Sequence, residues 1–298
     1  MRPNFVEVKE PIAESELILN DDGSVYHLKL KGDQIADNVI LVGDPDRVEV
    51  IGEYLSDIEN KSNNREFVSV TGKYNGQRIT VLSSGIGTDN IDIVINELDA
   101  AVNFDFNTRM PKSEFRKLNL VRVGTSGALQ PYLKVDSFLV SDYGMGLDGV
   151  MHFYDVDFEE DEEILNRQFK HHMRWNYNHA SPYFVKGSAN LKAKIGEGWN
   201  SGITATANGF YGPQGRSLRL KLQDPLFNSK MASFDYNGQK ITNYEMETSA
   251  LYSLAATLGH EAITVCAIIA NRYNRTYSKD YKATVKSLIE QVLERLTS

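Results

Sequence analysis

The feature that most constrains the fold of this chain is the alternation of short β-rich runs with helical patterns. DNVILVG (37–43) and AITVCAIIAN (262–271) are continuous apolar runs, as expected for strands buried on both faces of a sheet. Residues 90–102 show helical spacing, with Ile91 and Ile95 on one face. Interleaved strands and helices predict an α/β fold with a central mixed β-sheet flanked by helices.

The remaining elements follow from the same patterns and from turn residues. No linker rich in Pro, Gly or Ser and no internal repeat divides the chain, so we predict a single domain over 1–298 with an N-terminal extension over about 1–25. The further predicted strands cover 66–85 (a hairpin turning at Asn75-Gly76), 118–124, 136–142, 202–208 and 240–247, and the further helices cover 48–58, 248–259 (closed by Gly259) and a C-terminal stretch from about Lys282.

Composition excludes several classes of protein. The net charge of −8 argues against a broad nucleic-acid surface, although a few residues can still form a basic pocket. The chain has no apolar signal core at its start and no run near the ~20 residues of a membrane span, so we expect a cytoplasmic protein without membrane contact. Cys266 is expected to be a buried thiol, and His171, His172 and His179 lack a convincing set of metal-ligand partners.

Three predicted strands end in glycine-bearing segments, GDPDR (43–47), SSGIGTDN (83–90) and GTSGAL (124–129). Glycines there let backbone N–H groups approach an anion, and Arg47 and Arg122 flank two of the segments with guanidinium groups that match phosphate. The pattern indicates a phosphate site. The alternative, that each glycine is only a turn and each arginine only a surface charge, is equally open.

Three further motifs carry polar side chains that chemistry could use. GFYGPQGR (209–216) is a loop by its Gly and Pro content, either a base-binding loop or a plain surface turn. NYEMETSALY (243–252) puts Glu245 and Glu247 at a strand-to-helix junction, pointing the same way if the strand persists. GMGLDG (144–149) fits a dinucleotide motif, but no helical pattern begins there, so a dehydrogenase is the least favoured interpretation.

The chain resembles the nucleoside phosphorylase family, and within it the enzymes that act on uridine. The motifs that carry this resemblance are, in chain order, GDPDR, NREF, SSGIG, RVGTSGALQ, FYGPQGR, NYEMET and AIIANR. The resemblance runs from about His27 to Arg272. It implies the family's α/β fold and the reversible phosphorolysis of uridine to uracil and ribose 1-phosphate in pyrimidine salvage. Inorganic phosphate is then a co-substrate, and no cofactor or metal is implied.

The resemblance also implies roles for individual residues. Arg65 is similar to the arginine that the family lends to the neighbouring subunit's phosphate, and His27 to the histidine that reaches the neighbour's ribose 5′-hydroxyl. The other implied residues are Gly43, Arg47, Arg122 and Thr125 for phosphate, Met246 and Glu247 for ribose, and Ser126, Gly127, Phe210, Gln214, Arg216 and Arg272 for the base, with Arg216, Gln214, Arg122 and Glu247 as the catalytic set.

The implied partners are uridine, phosphate and a second copy of the chain in a homodimer with shared sites. A hexamer of such dimers stays open, as does a monovalent cation at the interface, because Thr88-Asp89-Asn90 follows Gly87 where the family often has Pro-Ser. The roles of the longer segments 103–118 and 155–200 also stay open.

Preference among uridine, deoxyuridine and thymidine stays open as well. The rival functions are a purine phosphorylase or nucleosidase of the same fold and a non-catalytic nucleoside-binding protein. Purine-cleaving relatives commonly use an aspartate near the final buried strand, whereas AIIANRYN offers Asn271 and no Asp, which favours a pyrimidine.

Overall fold

The computed structural model describes residues 2, 3 and 5–298 and is built on a mixed sheet packed against helices. This architecture confirms the predicted α/β class. The long strands are β1 (Asn38–Val42), β2 (Ser56–Asn64), β3 (Phe67–Tyr74), β4 (Gln77–Ser83), β5 (Asn119–Ala128), β6 (Phe138–Gly146), β7 (Tyr183–Lys186), β8 (Asn200–Thr206), β9 (Gln239–Glu245) and β10 (Glu261–Asn271).

The helices supply the layers that cover the sheet. They are α1 (Pro45–Gly52), α2 (Thr88–Asn103), α3 (Glu160–Met173), α4 (Ala189–Ile195), α5 (Phe227–Ser233), α6 (Thr248–Leu258) and α7 (Tyr281–Thr297). Among the described residues, no helix has both the length and the apolar content needed to cross a bilayer.

The strand order is β9-β8-β6-β10-β5-β1-β4-β3-β2, with β7 added beside β6. The pairs of β5 with β10 and with β1 are parallel, whereas β10 with β6 and β3 with β4 are antiparallel. Strand β9 also pairs with the end of β5, through Asn243 with Ala128 and Tyr244 with Gly127. This extra pairing bends five strands into a closed ring, and it brings β9 next to β5 although they lie far apart in the sequence.

Several local predictions are confirmed by the structure. The 66–85 hairpin turns at Asn75 and Gly76, both with positive φ, as an Asn-Gly turn requires. Gly259 closes α6 in the left-handed conformation at φ 87°. Cys266 is fully buried, and burial is the main reason that the pKa of its thiol rises to about 12. The thiol therefore stays protonated and serves as packing.

Other boundaries were predicted wrongly. The helix expected over 48–58 ends at Gly52, and strand β2 begins at Ser56. Strand β2 is polar and largely exposed at the sheet edge, so it lacks the apolar pattern that marks a strand. Strand β5 continues through Ala128, and strand β6 continues through Gly146. The second extension places the first two glycines of GMGLDG inside a strand, and no α-helix follows, which removes the dinucleotide interpretation.

The N-terminal residues are attached to the segment that follows α2. Phe104–Asp105 and Met110–Pro111 form a short antiparallel hairpin there. Arg109 donates hydrogen bonds to the carbonyl oxygens of Ile12 and Ala13, and it accepts one at its own carbonyl from the Ile12 amide. The hairpin therefore holds the N-terminal segment on the surface of the protein.

Candidate active site

A cavity of about 1090 Å³ opens where the C-terminal ends of β1, β5, β9 and β10 converge. Ligands of α/β proteins commonly bind at such an edge, because loops and free backbone groups gather there. The following residues that the sequence had singled out line this cavity: Gly43, Arg47, Arg122, Thr125, Gly127, Phe210, Gln214, Arg216, Met246, Glu247 and Arg272.

Three of the predicted site residues lie outside this lining. Ser126 is buried, but its neighbours Thr125 and Gly127 face the cavity, and side chains alternate along strand β5. The structure therefore does not bring Ser126 to the cavity. A loop at this position would have allowed all three residues to face one ligand, but the continued strand does not.

His27 and Arg65 also lie away from the cavity of their own chain and share one stretch of surface. The Asn64 side chain donates a hydrogen bond of 2.8 Å to the carbonyl oxygen of His27. His27 Nδ1 lies 2.6 Å from the carboxylate of Glu97, which also accepts from the His27 amide. Because a carboxylate only accepts, Nδ1 carries the proton in this contact. A role in a neighbouring subunit's site stays a prediction.

Arg122 lies at the floor of the cavity between two buried carboxylates. Its Nη1 is 3.2 Å from Glu245 Oε2, and its Nη2 contacts Glu247 Oε2. Burial alone would lower the pKa of Arg122, but the charges of Glu247 and Glu245 outweigh it and raise that pKa. Arg122 is therefore a permanent cation whose orientation depends on both carboxylates.

The segment Glu245-Met246-Glu247 reaches the cavity in a different way from the one predicted. All three residues line the cavity, because the strand ends at Glu245 and the chain turns into α6. Glu245 accepts hydrogen bonds from the amides of Glu247 (2.9 Å) and Thr248 (3.0 Å) at the start of the helix. It thus caps α6 and pairs with Arg122, a second role that strand alternation did not show.

At one end of the cavity, Arg47 lies next to glycine backbone, as the sequence predicted for a phosphate site. Arg47 donates to the carbonyl oxygen of Val123 at 3.3 Å, and its pKa is lowered chiefly by burial, with the charge of Arg122 adding to the effect. Gly124 is required here, because a Cβ atom would collide with the guanidinium of Arg122. A buried cation, Arg122, and a half-buried one, Arg47, next to glycine backbone favour an anion.

The opposite end of the cavity is formed by the 209–216 loop, which the structure confirms as a loop with a short 3₁₀ turn over Gly212–Gln214. Gln214 Oε1 accepts from Arg216 at 2.7 Å and from Arg272 at 3.0 Å. Arginine only donates, so the amide oxygen must face both guanidinium groups. The two arginines therefore occupy the amide oxygen, and the amide nitrogen of Gln214 is the group left for a ligand.

Two arginines stand side by side at this end. The guanidinium carbon of Arg216 lies 3.8 Å from the centre of the Phe210 ring, and that of Arg272 lies 5.1 Å from the centre of the Tyr244 ring. Burial and the charge of Arg216 lower the pKa of Arg272 to about 10, so both remain protonated at neutral pH. Neither pKa is shifted by a carboxylate. The end is therefore strongly electropositive.

Sequence reasoning missed the residues that brace this loop. The hydroxyl of Tyr244 donates to Asn228 Oδ1 at 3.1 Å, and Asn228 Nδ2 donates to the carbonyl oxygen of Gln214 at 3.1 Å. Both residues line the cavity. Tyr244 precedes the EME motif, and its strand position was the one available signal. Asn228 lies at the start of α5, and no local pattern distinguishes it.

Asn271 lines the cavity, but its amide is already bound by the protein. Its Nδ2 donates to the carbonyl oxygens of Gln130 (2.9 Å) and Leu133 (2.6 Å), and its Oδ1 accepts from the Asn274 amide. An aspartate would face two carbonyl oxygens, each of which would lose its donor. Asn271 therefore holds a turn, and its side chain has no free donor for a ligand.

Comparison with known proteins agrees with this geometry. The model of a family described as the Phosphorylase superfamily matches residues 37–298. The chain is 30% identical over 271 residues to a uridine phosphorylase of Thermococcus kodakarensis, covering 91% of this chain and 86% of the relative. It is 28% identical over 248 residues to a purine nucleoside phosphorylase of Bacillus velezensis, covering 81% and 85%.

A solved structure shows the same likeness in three dimensions. The Trypanosoma brucei nucleoside phosphorylase, described as showing uridine phosphorylase activity, superposes with a TM-score of 0.85 at 28% identity and covers 94% of this chain and 99% of that one. The fold and the cavity define an α/β enzyme of nucleoside metabolism. The chain belongs to the phosphorylase superfamily, whose relatives named here are nucleoside phosphorylases and hence pentosyltransferases.

Proposed function

We propose that this chain is a uridine phosphorylase, which converts uridine and inorganic phosphate into uracil and ribose 1-phosphate. The observation that carries the proposal is the charge layout of one cavity. Arg47 and Arg122 stand at one end, Arg216 and Arg272 at the other, and Glu247 lines the same cavity beside Arg122. This order matches a phosphate, a base that leaves as an anion, and a sugar with hydroxyl groups between the two.

At the phosphate end, the nucleophile is bound and aligned. Arg47, Arg122, the hydroxyl of Thr125 and the backbone at Gly43 bind the phosphate oxygens, with Arg65 of a second subunit completing the set. One phosphate oxygen forms a bond to the anomeric carbon of ribose as the glycosidic C–N bond breaks. Holding the reactants at contact distance is the main contribution of the protein to such a displacement.

At the base end, the leaving group is stabilised. The electron pair of the broken C–N bond passes to uracil, and the guanidinium groups of Arg216 and Arg272 stabilise the negative charge on its carbonyl oxygens. The amide nitrogen of Gln214 donates a further hydrogen bond, and Phe210 packs on the ring. Cytosine would present an amino group to these donors, and each such mismatch costs about 1–3 kcal/mol. The chemistry needs no cofactor, because fixed cations carry the charge.

The ribose lies between the two ends, on Met246 and Glu247. Glu247 Oε1 accepts from the Gly87 amide at 2.8 Å, and Oε2 contacts Arg122, so each oxygen keeps one further acceptor position for a sugar hydroxyl. Burial is the main cause that raises the pKa of Glu247. Its pairing with Arg122 opposes that shift and favours the carboxylate that accepts hydrogen bonds from the hydroxyls.

The relatives include a purine phosphorylase, so the substrate has to be tested directly. We expect uridine to be cleaved fastest in a panel with deoxyuridine, thymidine, cytidine, inosine and adenosine, and only with phosphate present. Faster cleavage of inosine would overturn the pyrimidine assignment. Release of base at the same rate without phosphate would indicate a nucleosidase, and binding of uridine without any release of uracil would indicate a binding protein.

The proposal that two subunits share each active site makes a separate prediction. A chain with Arg65→Ala and a chain with Arg216→Ala should each be nearly inactive, yet mixed dimers should recover about a quarter to a half of the wild-type activity, because one site per dimer is then complete. Differently tagged chains show that mixed dimers form. Mixing Arg216→Ala with Gln214→Ala is the control, since both lesions lie in the same part of each site and no complete site results. Co-purified Arg65→Ala and Arg216→Ala chains without activity would contradict the shared site.

Three finer assignments belong to the same proposal. The enzyme acts in the cytoplasm in pyrimidine salvage, which fits a substrate pair of nucleoside and inorganic phosphate. The dimer is its minimal unit, and sedimentation of the purified protein decides between a dimer and a hexamer. A dependence of activity on K⁺ would reveal a cation at the dimer interface.

A further inference from the structure

Thr206, the last residue of β8, begins a chain of hydrogen bonds that leads to Arg122. Its Oγ1 donates to Glu245 Oε1 at 2.6 Å and accepts from the Ser249 amide at 2.9 Å. Thr206 is fully buried, and it is the register partner of Glu245 in the parallel pair of β8 and β9. The Thr206 hydroxyl thus donates to the end of β9 and accepts from the start of α6.

These contacts fix the orientation of the Glu245 carboxylate. Besides Thr206, its carboxylate accepts from the amides of Glu247 and Thr248 and pairs with Arg122 at 3.2 Å. Only 4% of the residue is exposed, so water does not replace a lost donor readily. Losing the Thr206 hydroxyl would leave Glu245 Oε1 with the Thr248 amide, at 3.1 Å, in place of two donors, and would loosen the carboxylate on that side.

Arg122 depends on this carboxylate for its orientation. Its Nη1 pairs with Glu245 and its Nη2 with Glu247, while its buried Nε has no hydrogen-bond partner among the described residues. Two anchors define the plane of a guanidinium group, and one anchor leaves it able to turn. Movement of Glu245 therefore changes the direction in which Arg122 presents its N–H groups to the cavity.

We propose that Thr206 is a positioning residue for the nucleophile site: its hydroxyl holds Glu245, and through Glu245 it holds Arg122 in the orientation that binds phosphate. The inference rests on the proposed phosphorolysis and assigns to it a residue that does not line the cavity. Because Thr206 acts through Arg122, its substitution should change the KM for phosphate more than the KM for the nucleoside.

The test compares Thr206→Val, which keeps the shape and removes the hydroxyl, with Thr206→Ser, which keeps the hydroxyl. The matched control is Thr204→Val, two residues earlier on the same strand face. Thr204 is equally buried and donates to Asn243 Oδ1 at 2.9 Å, an oxygen that also accepts from Thr242. Both valine variants lose one buried hydroxyl, but only one loses a contact with Glu245.

We expect Thr206→Val to raise the KM for phosphate about tenfold, since hydrogen bonds to charged groups are the stronger ones. The KM for uridine should change by less than about threefold, and Thr206→Ser and Thr204→Val should keep the wild-type KM for phosphate. An equal rise in both KM values, or an equal phosphate effect in Thr204→Val at a similar melting temperature, would overturn the proposal. If Thr206→Val does not fold, Thr206→Cys is measured in its place against the same criteria.

The failure of the proposed function can be told apart from the failure of this inference. Stabilisation of the protein by inorganic phosphate alone, followed as the shift of its melting temperature, does not require uridine to be a substrate. A weaker phosphate-induced shift in Thr206→Val than in Thr206→Ser supports the positioning role whichever nucleoside is cleaved. Equal shifts in the two variants contradict it.

Discussion

Replacing Arg122 by methionine is expected to lower kcat/KM for phosphate by about 10³-fold and to destabilise the protein by about 3–5 kcal/mol at neutral pH. The first effect follows from the loss of a cation at the floor of the cavity. The second follows because Glu245 and Glu247, only 4% and 3% exposed, would lose their shared positive partner. Denaturation in urea and steady-state kinetics measure the two effects separately.

The stability loss should depend on pH in a defined direction. Burial and the charge of Glu245 already raise the pKa of Glu247, and removal of Arg122 removes the main influence that lowers it. The folded variant then binds a proton more tightly than the unfolded chain, so its stability rises as pH falls from neutral towards the ordinary glutamate pKa of about 4.3. The difference in unfolding free energy between variant and wild type should therefore be smaller at pH 5.5 than at pH 7.5.

Arg47→Met is the matched control for this experiment. Arg47 lines the same end of the cavity, but among residues 2, 3 and 5–298 its hydrogen bond goes to the Val123 carbonyl and no carboxylate is paired with it. We expect it to impair the use of phosphate with little loss of stability and no such pH dependence. An Arg122→Met protein as stable as Arg47→Met at pH 7.5 would show that the two carboxylates do not depend on Arg122.

The second large effect is expected at the base end. Arg216→Ala should lower kcat for uridine by about 10²–10³-fold, as does the loss of one preorganised donor to a developing anion. The loss should be smaller for 5-fluorouridine, because fluorouracil is a better leaving group and needs less stabilisation. The measurement is the ratio of the two rates in wild type and variant at saturating phosphate.

Arg219→Ala provides the control for this substitution. Arg219 lies three residues further along the chain, is exposed, and lines a neighbouring cavity instead of this one. It should leave both rates within about twofold of wild type, as surface substitutions usually do. If the kcat of the Arg216→Ala enzyme falls by the same factor with uridine and with 5-fluorouridine, Arg216 positions the loop through its contacts with Phe210 and Gln214 and does not stabilise the leaving group.

Much of the fold was readable from local pattern. Continuous apolar runs identified β1 and β10, helical spacing identified α2, and turn residues placed the Asn75-Gly76 hairpin and the end of α6 at Gly259. These features depend on side-chain periodicity and on backbone conformations that only a few residues adopt, and both are present in a short window of sequence. Ordered motifs along the chain likewise indicated the family and most of the cavity lining.

The tertiary structure decided which side chains contact one another within the site. Arg122 meets Glu245 because β9 pairs with the end of β5, and Thr206 meets Glu245 because β8 and β9 pair in one register. Gln214 turns its oxygen inwards because Arg272, from the end of β10, reaches the same loop as Arg216. Sequence alone therefore determined many of the strands, helices and binding loops, but not the polar edge strand β2. Only the packed sheet decided which charges pair, because strand register joins residues that no local pattern relates.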